Sequence, residues 1–203
     1  MRLWTFGDSV LDCGHYNAYG VTPGALVIRN DDHLFPHFAR QDLASRGLRV
    51  ALAHRAVDGA RASDLAAQAQ GMVAGRDDIA MVSVGGNDLL RGLMVDEGAG
   101  FKAFEAALDR FLSGLGMERC ILATVYDPTF GDDRRNFLGV PAHLARRGHE
   151  RMNEILRRLA KRHGRLADLH AHFLTGDPSW FANTIEPSLA GASEIRRVFL
   201  ARI

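Results

Sequence analysis

Three short stretches of the chain carry residues that can do chemistry together: Gly7-Asp8-Ser9, the run His54-Arg55-Ala56-Val57-Asp58-Gly59, and Gly85-Gly86-Asn87-Asp88. Acyl transfer by a serine needs a hydroxyl on a sharp turn after a strand. It also needs hydrogen-bond donors aimed at the oxyanion that develops. Ser9 offers the hydroxyl and a backbone N–H. Gly59 has no side chain, so its N–H can come close to a substrate. Asn87 offers a neutral side-chain N–H₂. Taken singly, each stretch is ordinary. Ser or Asp before a helix is commonly an N-cap, and glycines suit tight turns.

The elements that must position these residues follow from the hydrophobic pattern. Short apolar runs at 3–6, 50–53, 79–84, 120–125 and 166–169 read as buried strands, each followed by glycine or polar turn residues. Helical spacing predicts helices over 35–46, 61–72, 101–115, 141–163 and 191–200, with Pro141 at the start of the fourth. No repeat or linker divides the chain, so residues 1–203 are expected to form one α/β domain, a three-layer α/β/α sandwich with a parallel sheet of about five strands. Ligands of such sheets bind at the carboxyl ends of the strands, where the three stretches lie.

Composition excludes several classes. The chain has 203 residues, 47% hydrophobic and 24% charged, which suits a globular protein and not a disordered one. Its formal net charge of +1 leaves no field to hold nucleic acid or an anionic membrane. Lys102 and Lys161 are the sole lysines, so arginine supplies almost all the positive charge. Cys13 and Cys120 are too few for a disulfide scaffold or a zinc ribbon. No apolar run approaches the ~20 residues of a membrane helix, and the N-terminus lacks the ~7–15 apolar residues of a secretion signal. The expectations are a cytoplasmic protein with a small-molecule partner and no cofactor, while the oligomeric state stays open.

Gly7-Asp8-Ser9, Gly59 and Gly85-x-Asn87-Asp88, in this order, resemble the first three sequence blocks of the SGNH (GDSL-type) hydrolases. The resemblance runs over nearly the whole chain. It implies a flavodoxin-like fold and a serine-dependent esterase or deacylase acting through an acyl-enzyme. Ser9 would be the nucleophile, with Ser9 N–H, Gly59 N–H and the Asn87 side chain forming the oxyanion hole. The family's last block, Asp-x-x-His, supplies a histidine that takes the serine proton and an aspartate that orients it. Here the matching stretch reads Asn183-Thr184-Ile185-Glu186-Pro187. Asn183 stands where the aspartate is expected and Glu186 where the histidine is.

Three accounts of this departure are open. Glu186 is itself the base, its pKa raised by burial. Alternatively, one of the nine histidines serves: His15 lies six residues past Ser9, His54 ends the second strand and His170 the fifth, with His170 and His15 the leading candidates. Or the domain has lost efficient catalysis and binds an acyl or carbohydrate ligand. Arg55, Arg61 or Arg91 beside Glu186 would lower its pKa and weaken it as a base.

Other candidates are weaker. His33 and His37 are four apart, but Pro36 interrupts the spacing and no third metal ligand is evident. Cys13 reads as a small buried residue. The resemblance implies a mainly structural role for Asp8, and Asp88 reads as a cap or loop anchor. Segments 21–33 and 126–138 read as loops at the strand-end rim, and Arg196 and Arg197 as a solvated helix face.

Overall fold

The computed structural model describes all 203 residues. In chain order the elements are β1 (Arg2–Gly7), α1 (Pro23–Ile28), β2 (Ala51–His54), α2 (Leu65–Gln68), β3 (Ile79–Ser83), α3 (Gly86–Leu90) and α4 (Ala99–Gly114). There follow β4 (Arg119–Ala123), α5 (Ala142–His163), β5 (Arg165–Ala167), α6 (Leu169–Phe173), β6 (Phe181–Ala182), β7 (Glu186–Pro187) and α7 (Leu189–Leu200). The first five strands form one parallel sheet in the order β2-β1-β3-β4-β5. Strand order reverses between β1 and β3, the place where doubly wound sheets of this order bind ligands. β6 and β7 pair as a small antiparallel hairpin.

The sheet is covered on both faces. Trp4, Phe6, Val82 and Leu122 pack under α4 and α5 with Phe104, Leu108, Ile155 and Leu159. Leu3, Ile79, Met81 and Ile121 pack on the other face with Val27 of α1, Phe173 of α6 and Phe199 of α7. Successive strand residues point to opposite faces, so strands buried on both sides must be apolar throughout. β3 is buried at every residue. No helix is long and apolar enough to cross a membrane.

The long helices lie within two residues of where periodicity puts them. The segment 35–46 does not form its expected helix, and only a single 3₁₀ turn, Pro36–Phe38, appears there. Phe35, ahead of Pro36, takes φ −134° and ψ 66°, since a residue before proline is kept from the α region. Arg40 at φ 65° then reverses the backbone. Over 61–72 the helix is cut to a 3₁₀ turn and the four residues of α2, ahead of Gly71 at φ 70°. Conversely, the 21–33 loop contains α1, which Thr22 caps through Ala25 N–H and Pro23 starts.

Arg196 is another correction. It is 1% exposed, not solvated. Its guanidinium lies 3.6 Å from the Phe38 ring centre and 4.9 Å from that of Phe35, and it donates to the Asn30 side-chain oxygen and to Ser193. Stacking and amide acceptors accommodate the buried cation without a carboxylate. Burial still pushes its pKa down to about 10.

A neighbouring ion pair carries a testable stability term. Burial opposes the charge of Glu194, but hydrogen bonds from His172 at 2.8 Å and from Arg197 at 2.8 Å outweigh it and hold the carboxyl at about 2. Its side chain is only 13% exposed, so solvent screens it little. A depressed native pKa contributes stability above the unfolded value, and that contribution is lost as pH falls through the native one. Urea unfolding should show Glu194→Gln less stable than wild type by roughly 3 kcal/mol at pH 7, from a shift of that size. The gap should shrink between pH 4.5 and about 2.

Candidate active site

Gly7 ends β1 at φ 123°, and a Cβ there would lie 1.6 Å from the Ser83 carbonyl oxygen. Only glycine fits so close to β3. The Gln68 side chain grips the Gly7 peptide from both sides, accepting from Gly7 N–H at 2.7 Å and donating to Gly7 O at 2.8 Å. Asp8 N–H donates to Ser83 O at 3.1 Å, and the Asp8 carbonyl accepts from Leu11 and Asp12 N–H at 3.1 Å each. This winds the chain into a tight turn with Ser9 at its top, 7% exposed. The Ser9 N–H meets no acceptor within the chain.

The turn after β2 is built to the same end. Val57 N–H donates to Gly7 O at 2.9 Å, Asp58 N–H to the Asp12 carboxylate at 3.0 Å, and Ala60 N–H to Val57 O at 3.1 Å. Gly59 sits in this turn at φ 76°, a conformation that favours glycine, and its N–H has no acceptor in the chain. The first turn of α3 holds the loop from the other side. Asn87 Nδ2 donates to Ala60 O at 3.2 Å, and the Asp88 carboxylate accepts Ala62 N–H at 3.2 Å. An amide nitrogen carries two hydrogens, so Asn87 keeps one free.

Glu186 begins β7, carried on the hairpin whose turn residues Asn183 and Thr184 have φ 47° and 72°. Tyr126 holds this strand by donating its hydroxyl to Ile185 O at 2.6 Å, while its ring stacks on Phe173 at 4.8 Å. Glu186 shares a cavity with Ser9, though no hydrogen bond joins the two side chains, and its Oε2 is buried with no hydrogen-bond partner. Burial raises its pKa above the ordinary 4.5, against the pull of the Ser9 hydroxyl; Asp58 raises it further and His15 opposes. None of Arg55, Arg61 and Arg91 pairs with it. Asp8, fully buried beside it, is pushed by burial, against the Val10 N–H bond and with help from the Glu186 charge, up to about 8. Burial thus favours the protonated form of Asp8. Asn183 points no hydrogen bond at Glu186; its carbonyl accepts from Ile185 N–H at 2.8 Å.

Ser9, Asn87 and Glu186 line one cavity of about 120 Å³, and Gly59 lies in the adjoining turn, outside the lining. No histidine hydrogen-bonds Ser9. His170 falls in α6, its ring 4.8 Å from that of His149, outside the cavity. His15 is tied to Asp58 at 3.2 Å, and His54 to Asp12 at 3.1 Å and Thr5 at 2.7 Å. His149, which the motifs do not single out, lines the cavity; its Nε2 faces Val125 O at 2.9 Å and Tyr126 O at 3.2 Å. Burial lowers its pKa, so it is neutral near pH 7. Tyr126 and Gln68 are further positioning residues without a motif signal, since both act over long sequence separations. Burial pushes the Cys13 thiol up to about 12, so it stays protonated. His33 and His37 are exposed, and no group of three His, Cys, Asp or Glu side chains is arranged for a metal ion.

The model of the GDSL-like lipase/acylhydrolase family matches residues 5–193, a span that includes Ser9, Gly59, Asn87 and Glu186. The chain belongs to this family. Solved structures similar to this GDSL-like chain include LAE5, an alpha/beta hydrolase enzyme from the metagenome of Lake Arreo, Spain, at 27% identity and TM-score 0.67, with 99% of this chain and 94% of the other covered. Axe2, an acetylxylan esterase from Geobacillus stearothermophilus, is 22% identical with TM-score 0.70, covering 99% and 93%. An extracellular lipase from Streptomyces rimosus is 16% identical with TM-score 0.68, covering both chains fully at 100%. The last two likenesses establish the shared α/β/α fold of the GDSL-like family. No curated protein matches the chain closely enough to be called a relative.

Proposed function

We propose that the protein is a serine-dependent ester hydrolase acting on a small acyl ester, with Glu186 as the base in place of histidine. Ser9 Oγ attacks the acyl carbon and its proton passes to Glu186. The oxyanion is held by Ser9 N–H, Gly59 N–H and the free N–H of Asn87. Glu186 then returns the proton to the alcohol as the C–O bond breaks, leaving the acyl group on Ser9. Water, deprotonated by Glu186, releases the acid and restores the hydroxyl. The observation that carries this reading is the buried, unpartnered Glu186 Oε2 in the cavity that Ser9 also lines. Desolvation adds to the basicity that an exposed carboxylate lacks.

The test is intact mass after treatment with a fluorophosphonate, wild type beside Ser9→Ala. One adduct on wild type and none on the variant is expected. Wild type without an adduct would overturn the hydrolase reading in favour of a domain that binds an acyl or carbohydrate ligand.

A further inference from the structure

A second cleft lies along α3, separate from the Ser9 cavity. It holds about 470 Å³, against about 120 Å³ beside Ser9, and the two share no lining residue. Asn87 and Leu90 of α3 line the Ser9 cavity, while Asp88 and Arg91, the residue after the helix, line the second cleft. Arg61, two residues after Gly59, lines it too. Leu93 and, from α4, Ala103, Phe104 and Ala107 supply its apolar lining.

The guanidinia of Arg61 and Arg91 donate no hydrogen bond to the chain and form no ion pair. Elsewhere the surface pairs its arginines. Along α5, Arg146, Arg157, Arg158 and Arg162 each meet a carboxylate. Carboxylates stand in the second cleft as well, but they are turned to the backbone. Asp88 accepts Ala62 N–H at 3.2 Å. Asp96 accepts Gly98 N–H at 2.7 Å, Gly100 N–H at 3.1 Å and Phe101 N–H at 3.3 Å. The Arg61 charge acts on Asp88, yet no ion pair joins them. One unpaired surface arginine is ordinary, since water hydrates it. Two on a single concave, partly apolar site leave a pair of fork-shaped donors beside a surface for an organic body.

We infer that this cleft binds a small organic anion, its carboxylate or phosphate head held by Arg61 and Arg91 and its apolar body against Leu93 and Phe104. The bound anion also braces the oxyanion turn. Arg61 follows Ala60, whose carbonyl accepts from the Asn87 side chain at 3.2 Å, and Arg91 N–H donates to Asn87 O at 3.0 Å. One head group across both guanidinia ties the loop that carries Gly59 to the helix that carries Asn87. The bracing rests on the hydrolase reading above; the site does not.

Isothermal titration calorimetry of the Ser9→Ala protein tests the site, with inorganic phosphate, phenyl phosphate, acetate and hexanoate as probes at constant ionic strength. The expected result is saturable binding, tighter for phenyl phosphate than for phosphate and for hexanoate than for acetate. The head group that binds better names the anion. Arg61→Gln and Arg91→Gln should each weaken binding by roughly 10–100-fold, the effect of losing a charge-assisted hydrogen bond. Arg147→Gln, at an exposed arginine of α5 outside the cleft, should leave it unchanged. Heat that never saturates, or binding that survives in both cleft variants, overturns the site. With wild type, kcat at saturating p-nitrophenyl acetate should rise by roughly fivefold over the concentrations that fill the site, the low end of ordinary coupling between sites. Binding without that rise overturns the bracing and keeps the site. Binding with no ester hydrolysis at all overturns the hydrolase reading and the bracing together, and again keeps the site.

Discussion

Glutamine in place of Glu186 is expected to lower kcat for ester hydrolysis by roughly 10²–10⁴-fold, the usual contribution of a positioned general base. The substitution keeps the shape of the side chain and its place beside Tyr126 and Ile185 but removes the site that takes the proton in the proposed mechanism. The sign of the pH dependence follows from the raised pKa. The proposed mechanism needs the ionised form, so the wild-type rate should fall as pH drops through that raised value and level off above it. The Gln variant should lose this acid limb as well as most of its rate. A variant with the wild-type limb intact would mean that another group takes the proton. Fluorophosphonate labelling of Ser9 should slow in parallel, since the same base activates the hydroxyl in that reaction. Circular dichroism and urea unfolding of the variant would show whether the hairpin still holds. Neutralising a buried unpartnered carboxylate is expected to leave stability unchanged or slightly raised.

The strand ends were legible because a sheet covered on both faces must be built from unbroken apolar runs, and the residues after those runs lie on one rim. This places Ser9 and Asn87 beside each other from sequence pattern alone. The resemblance singled out Glu186 by its place before Pro187 and the last helix, but nothing in the sequence announced the hairpin that carries it. Its surroundings were not. The carboxyl keeps a free oxygen because no arginine reaches it and because Tyr126, 59 residues earlier, pulls the strand inward through Ile185 O. Neither fact has a local signature. The 35–46 segment shows the opposite failure. Its helical spacing did report burial, since Phe35, Phe38 and Leu43 are all in the core. The backbone follows Pro36, the reversal at Arg40 and the anchor of Arg196 instead. Apolar spacing thus told which side chains face inward, while long-range packing decided the path between them.

Alanine in place of Asn87 is expected to lower kcat by about 10²–10³-fold, the effect of losing one oxyanion donor, with little change in KM. That split separates transition-state stabilisation from substrate binding. Asn87 also donates to Ala60 O at 3.2 Å, so its removal loosens the turn that presents the Gly59 N–H. The loss is therefore expected toward the upper end of that range. Gly59→Ala offers the comparison. At φ 76° a Cβ is strained, although nothing lies within 4 Å of where it would stand, so the turn shifts while the Asn87 donor remains. If Asn87 and Gly59 act as one unit, the double variant should lose less than the product of the two single losses. Losses that multiply would mean instead that each N–H meets the oxyanion independently. A rise in KM with kcat unchanged in Asn87→Ala would remove it from the oxyanion hole and make it a residue that shapes the ground-state site.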